Sequence, residues 1–332
     1  MPNGRKRIAA IAASLIALVT ALVGVGLGVL TPAATAKPDV ETAKKLVEKY
    51  DHLAEQASER YNDAKVKLDA TKTQLTALNA DLARQQQVVD AMRQQVAAMV
   101  VDQYQGDALS TTSQVVLSSN PDAFLDNLNA VSAYNNQRGQ VMKQFSTQLD
   151  RLKLRKAAVQ AEADRLKSLE DTMSAQKADI DEKAAKAKAV LDDLEAKARA
   201  QVLSGGWTGD IPDVPASGRA AAAVKFAMAQ VGKAYVYGAA GPNAFDCSGL
   251  TMRAWGMAGV ALPHSSSAQH GVGTPVSESD LRPGDLVFYY SPISHVGMYI
   301  GNGLIVNALN PGAGVRVSGL HSMPYVGAVR PG

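Results

Sequence analysis

The chain has 332 residues, enough for about two domains, and its 46% apolar content with only 5% aromatics makes alanine, not large rings, the main apolar residue. A formal charge of +3 carries little information, and no nucleic acid is expected as a partner. A single cysteine, Cys247, excludes an internal disulfide framework.

Arg5, Lys6 and Arg7 precede an uncharged run from Ile8 to Leu30, and Ala34-Thr35-Ala36 follows Pro32 as a small-residue cleavage pattern. This predicts a signal peptide over residues 1–36; the alternative is an uncleaved membrane anchor, since the run is long enough to span a bilayer. Both place the rest of the chain outside the cytoplasm. There a lone thiol is an intermolecular bridge, an inert buried residue or a reactive nucleophile.

Residues 37–203 read as a coiled-coil helical domain. From Val47 the small and apolar positions alternate in steps of three and four through Tyr50, Ala54, Ala57, Tyr61, Ala64 and Leu68 to Met99. The pattern breaks at Gln105-Gly106-Asp107. A second seam, marked by the cap Asn120 and by Pro121, runs from Leu128 to Leu194. An antiparallel hairpin and a parallel dimer satisfy these heptads equally. The tip between them holds Val115-Val116-Leu117 and Phe124-Leu125, either a small core sealing the hairpin or a docking site.

Glycine, proline and serine thicken over 204–218, a linker that contains Trp207. Residues 219–332 read as globular: helices over Ala220–Val231 and Asp246–Ala258, a strand over Asp285–Tyr290, and a hairpin of His295–Ile300 and Leu304–Ala308 around Gly301-Asn302-Gly303. Helices followed by strands predict an α+β layer, helices packed on an antiparallel sheet.

The helix beginning near Asp246 places Cys247 at its N-terminus, where partial positive charge favours thiolate and a backbone N–H can meet an oxyanion. Of the histidines in this part, His295 enters a strand and is the best-placed base. His264 and His270 lie in a Ser/Gly-rich loop expected to face solvent, and His321 lies in another loop. No metal-ligand spacing appears among them, and no cofactor is expected. Hairpin parity makes Asn307 a diagonal neighbour of His295 if position 297 lies opposite 307, which needs a three-residue loop or a bulge. With a plain two-residue turn, Asn307 would point away.

Tyr235-Val236-Tyr237-Gly238, Phe245-Asp246-Cys247-Ser248-Gly249-Leu250, Leu262-Pro263-His264-Ser265-Ser266, Leu281 to Phe288 and His295 to Gly301 together resemble the NlpC-type peptidoglycan endopeptidases over residues 219–332. The resemblance implies a papain-like α+β fold and hydrolysis of stem peptides, commonly between D-glutamate and meso-diaminopimelate. It makes Cys247 the nucleophile, His295 the general base and Asn307 the third polar residue, where the family often has histidine. It places Tyr235 beside the cysteine, near the oxyanion. Asp246 and Ser248 are expected to contact substrate or cap the helix, and Ser265 and Ser266 to line the groove or form a loop. An exported coiled coil ahead of such a domain also resembles actinobacterial septal hydrolases. That implies restraint of the enzyme by the helices and recruitment by a membrane division complex such as FtsEX. Other readings are an amidase or acyltransferase with the same thiol chemistry, and a non-catalytic peptidoglycan-binding scaffold.

Overall fold

Heptads that continue for sixty residues build a rod. The computed structural model describes residues 39–104, 121–203 and 216–332. The expected signal peptide, the tip segment with Val115, Val116 and Leu117, and the linker with Trp207 lie outside the described residues. Helix α1 spans Val40–Tyr104, 65 residues, about 98 Å at 1.5 Å per residue. Helix α2 spans Pro121–Asp192, with proline at its first position as the cap pattern predicts. No helix among the described residues is long and apolar enough to cross a membrane.

The two helices pair antiparallel within the chain. Arg60 Nε donates to Gln176 Oε1 at 2.7 Å, Arg155 Nε to Asp81 Oδ2 at 2.6 Å and Gln85 Nε2 to Gln148 Oε1 at 2.9 Å. Numbers on α2 fall as those on α1 rise, which resolves the choice between hairpin and parallel dimer in favour of the hairpin. Seam residues Ala54, Ala57, Ala64 and Leu68 are buried. A short helix, α3 (Ala196–Leu203), closes the open end, where Val202 and Leu194 pack with Ala43 and Val47 of α1.

The C-terminal domain starts with helix α4 (Gly218–Met228), followed by the parallel pair β1 (Ala234–Tyr235) and β2 (Ala244–Phe245). Helix α5 (Cys247–Met257) and helix α6 (Ser266–His270) come next. Strands β3 (Thr274–Val276), β4 (Leu286–Tyr289), β5 (His295–Gly301), β6 (Leu304–Ala308), β7 (Val315–Gly319) and β8 (Tyr325–Arg330) form one antiparallel sheet in the order β3-β8-β4-β5-β6-β7. This is the predicted α+β class. Leu286, Phe288, Val296, Met298 and Ile300 project from one sheet face against Ala223, Leu250, Ala254 and Trp255 of α4 and α5. Val287, Tyr289, Ile305, Leu320 and Ala328 form a smaller cluster on the other face.

The hairpin of β5 and β6 turns through Asn302 and Gly303, both at positive φ, and Gly301 pairs with Leu304. A bulge between Tyr299 and Gly301 then shifts the register to Tyr299 with Ile305 and Met298 with Val306. That shift carries Gly297 opposite Asn307. A two-residue turn therefore coexists with the pairing that brings Asn307 toward His295.

Candidate active site

Cys247 is the first residue of α5, and the local sequence makes the helix begin there. The Asp246 carboxylate accepts the Gly249 N–H at 2.6 Å through Oδ1 and the Gly238 N–H at 2.9 Å through Oδ2, so it caps the helix and ties it to the preceding loop. Only glycine fits at 249: a Cβ there would lie 2.3 Å from the Ala239 carbonyl oxygen. His264 Nε2 lies 2.8 and 2.9 Å from the two Asp246 oxygens. The expectation that His264 faces solvent is thus corrected, because the cap carboxylate draws the ring inward. His270 is exposed, with its ring edge-on to Phe288, and His321 is exposed beside Glu278.

His295, the first residue of β5, is fully buried. Its Nε2 lies 3.2 Å from Asn307 Nδ2, and Asn307 Oδ1 accepts from Ser318 Oγ at 3.3 Å. This chain of contacts fixes the ring, and a ring nitrogen of His295 lies within 4.8 Å of the Cys247 sulfur. Gly297 makes room for these contacts, since a Cβ there would lie 2.8 Å from Ile305 Cδ1. The structure therefore brings Cys247, His295 and Asn307 into one constellation. Tyr235 is buried in the same pocket, where desolvation first and the Cys247 charge second push its phenol pKa up. Ser265 caps α6 by accepting from the Ala268 N–H at 3.1 Å, and Ser266 Oγ lies 3.5 Å from Cys247 Sγ.

Helix α1 covers this site. Glu55 Oε1 lies 2.5 Å from His295 Nδ1. Glu59 Oε1 takes the Cys247 thiol at 3.6 Å and the Ser248 hydroxyl at 3.1 Å, while its Oε2 accepts the Ser266 N–H at 2.6 Å. Asn62 Nδ2 donates to Asp246 Oδ2 at 3.1 Å, and Asp63 accepts from the hydroxyls of Ser265 and Ser267. The His52 ring stacks at 4.1 Å on Tyr290, and the Tyr237 hydroxyl reaches the Asp51 carbonyl at 3.5 Å. Asp51, Glu55, Glu59 and Asn62 are all buried as a result. Sequence reading missed these residues, although it had a signal: Asp51, Glu55, Glu59 and Asp63 are acids at successive i, i+4 positions. Such a stripe repels itself on a free helix and calls for a partner surface.

The electrostatics follow from this cover. Burial, then the charges of Glu59, Glu55 and Asp246, push the Cys247 thiol well above its ordinary value, against a smaller opposite effect of the Ser266 hydroxyl. The helix N-terminus was expected to favour thiolate; in this arrangement burial and three carboxylates outweigh the dipole, worth about 0.3–1 kcal/mol, and hold the thiol neutral. Glu59 is itself raised to about 8, first by burial and then by the charge of Asp246. Asp51 is raised to about 7, first by burial and then by Glu55.

The NlpC/P60 family model matches residues 232–328. The chain is similar to a probable endopeptidase of Corynebacterium glutamicum, 46% identical over 116 residues that make up 35% of this chain and 56% of that protein. It is 49% identical over 115 residues to a probable endopeptidase of Mycobacterium tuberculosis, covering 33% of this chain and 30% of the other. The chain thus spans about half of the first of these relatives and a third of the second. Among solved structures, the NlpC/p60 domain of the peptidoglycan hydrolase SagA is 34% identical, with 33% of this chain and 97% of that one covered and a TM-score of 0.32.

Proposed function

We propose that the chain is an exported cell-wall endopeptidase that cleaves peptidoglycan stem peptides at the D-glutamyl to meso-diaminopimelate bond during cell separation. In this reading Cys247 Sγ attacks the amide carbonyl, His295 Nδ1 takes the thiol proton and gives it to the departing amine, and water activated by the same imidazole releases the acyl group. Asn307 orients the ring through Nε2. The hydroxyls of Ser248 and Ser266 are free for substrate only when α1 is absent from the cleft.

The observation that carries the reading is the Glu55 contact with His295 Nδ1. The nitrogen that must receive the thiol proton is occupied, so the described arrangement is a closed state and α1 is an inhibitory cover. A cover suits a hydrolase released into its own wall. The far end of α1 at Tyr104, about 74 Å from Glu55 at 1.5 Å per residue, is where we place engagement by a membrane division complex such as FtsEX; support for this is the architecture alone.

The test is release of diaminopimelate-containing fragments from purified sacculi, read by mass spectrometry. Cys247→Ala and His295→Ala should abolish release, while Asn307→Ala should leave residual cleavage because orientation is only part of the barrier. Unchanged release by Cys247→Ala would sink the assignment. Products consisting of whole stem peptides freed from sugar would point to an amidase instead.

A further inference from the structure

Closure of α1 creates a donor set that neither part of the chain holds alone. Glu55, Cys247 and His295 each direct one ligand atom to a common point, all within 4.8 Å of one another and all buried. Glu59 Oε1 lies 3.6 Å from Cys247 Sγ, beside that group of three. We propose that the closed form binds a zinc-type divalent cation through Cys247 Sγ, His295 Nδ1 and Glu55, with Glu59 beside the thiolate, and that the bound ion locks the cover over the nucleophile. The proposal rests on the closed-state reading above.

The chemistry fits that ion class. Thiolate with imidazole and carboxylate selects zinc over magnesium or calcium, which want oxygen alone. Metal–donor lengths of about 2.0–2.3 Å in a tetrahedron set donor–donor edges near 3.4 Å. The Glu55 to His295 contact at 2.5 Å has to widen by about 1 Å, which rotation of the Glu55 side chain supplies.

His295 and the neighbouring Glu59 are also held from behind, as groups around a metal are. Asn307 holds His295 Nε2 and so turns Nδ1 inward. The Ser266 N–H and the Ser248 hydroxyl hold Glu59. On binding, the thiol hydrogen and any carboxyl hydrogen leave to water as the metal–sulfur and metal–oxygen bonds form, with no change of oxidation state. One carboxylate, a thiolate and a neutral imidazole then surround a charge of two, with the Glu59 carboxylate next to them. The donors lie far apart in the chain, so motif spacing among the histidines carries no trace of the site.

Cobalt(II) titrated into the full chain is the probe, because tetrahedral sulfur-ligated cobalt shows a sulfur-to-metal charge-transfer band and visible ligand-field bands. One cobalt per chain with that band is expected, displaced by zinc. Cys247→Ser should remove the band, and the pair Glu55→Gln with Glu59→Gln should weaken binding by about tenfold or more. Zinc should raise the melting temperature of the full chain and not that of the double Gln variant, whose own melt in the absence of metal checks that it folds. Absence of the sulfur band in the full chain would overturn the proposal. So would an affinity unchanged by the two Gln substitutions, since the metal would then sit on the cysteine and histidine without α1. The readout is separate from hydrolysis: an enzyme activated by removing Glu55 but blind to cobalt keeps the cover and loses the metal site. Glutamate-dependent cobalt binding without such activation keeps the metal site and loses the cover's regulatory role.

Discussion

Removing one side chain of the cover tests the closed state most directly. Glu55→Ala deletes the only group of α1 that touches His295 Nδ1 among the described contacts, and the residue is 7% exposed. A hydrogen bond to a charged group contributes about 1.5–3 kcal/mol net, and the open form recovers water at the imidazole, so closure should weaken by that amount. Since 1.4 kcal/mol is a factor of ten, the open fraction should rise roughly ten- to a hundredfold while the closed form still dominates. Glu59 is a weaker lever despite its three contacts, because its burial already opposes them, as the rise to about 8 shows. The assay is hydrolysis of a stem peptide by the full chain, with labelling of Cys247 by a thiol reagent as a second readout. Both should increase together, whereas Lys45→Ala, at a position with a 72% exposed side chain, should leave both unchanged. A fall in hydrolysis would refute the reasoning, because it would mean that Glu55 assists His295. No change in either readout would refute it equally.

Two further outcomes follow from the same packing. Glu59 and Asp51 are raised to about 8 and about 7 in the closed form, and their ordinary values return when α1 leaves; closing therefore takes up protons, its stability is greatest below about pH 4 and is lost as pH climbs through 7 to 8. Exchange of the Ser266 amide, corrected for its intrinsic rate, should accelerate over that range. Glu59→Gln should flatten the profile, and an equally steep profile in that variant would count against it. At the start of α5, Gly249→Ala puts a Cβ 2.3 Å from the Ala239 carbonyl, 2.8 Å from Asp246 Oδ1 and 2.9 Å from His264 Nε2. Overpacking of this kind costs about 1–3 kcal/mol, so the domain should melt at least about 4 °C lower, while Gly256→Ala, with nothing within 4 Å of its Cβ, should be neutral or slightly stabilising.

Much of the fold was legible because it rests on periodicity. The heptads announce α1 and α2, Asn120 and Pro121 mark where α2 begins, and the alternation of β5 and β6 reads directly as a hairpin. The hairpin's detail was not legible: parity required either a longer loop or a bulge, and only the coordinates show the bulge beside Gly301. Partner choice for the rod was also closed to sequence, since heptads score apolar positions alike in a hairpin and a dimer. His264 was misread for a related reason. A histidine in a Ser-rich loop carries no local sign that a helix-cap carboxylate 18 residues earlier will draw it in.

The acidic stripe shows where that style of reading fails. A heptad scan asks which positions are apolar and assigns the rest to solvent, so Asp51, Glu55, Glu59 and Asp63 fall into the discarded class. The better question concerns the cost of leaving them there. Like charges at i, i+4 destabilise an isolated helix by about 0.2–0.5 kcal/mol per pair, and three consecutive pairs with no intervening base along that row mark a face fitted to something else. The cleft supplies the complement: a ring nitrogen at His295, a thiol at Cys247, hydroxyls at Ser248, Ser265 and Ser267, and a backbone N–H at Ser266. One helix row thus meets the polar groups clustered around Cys247 and His295.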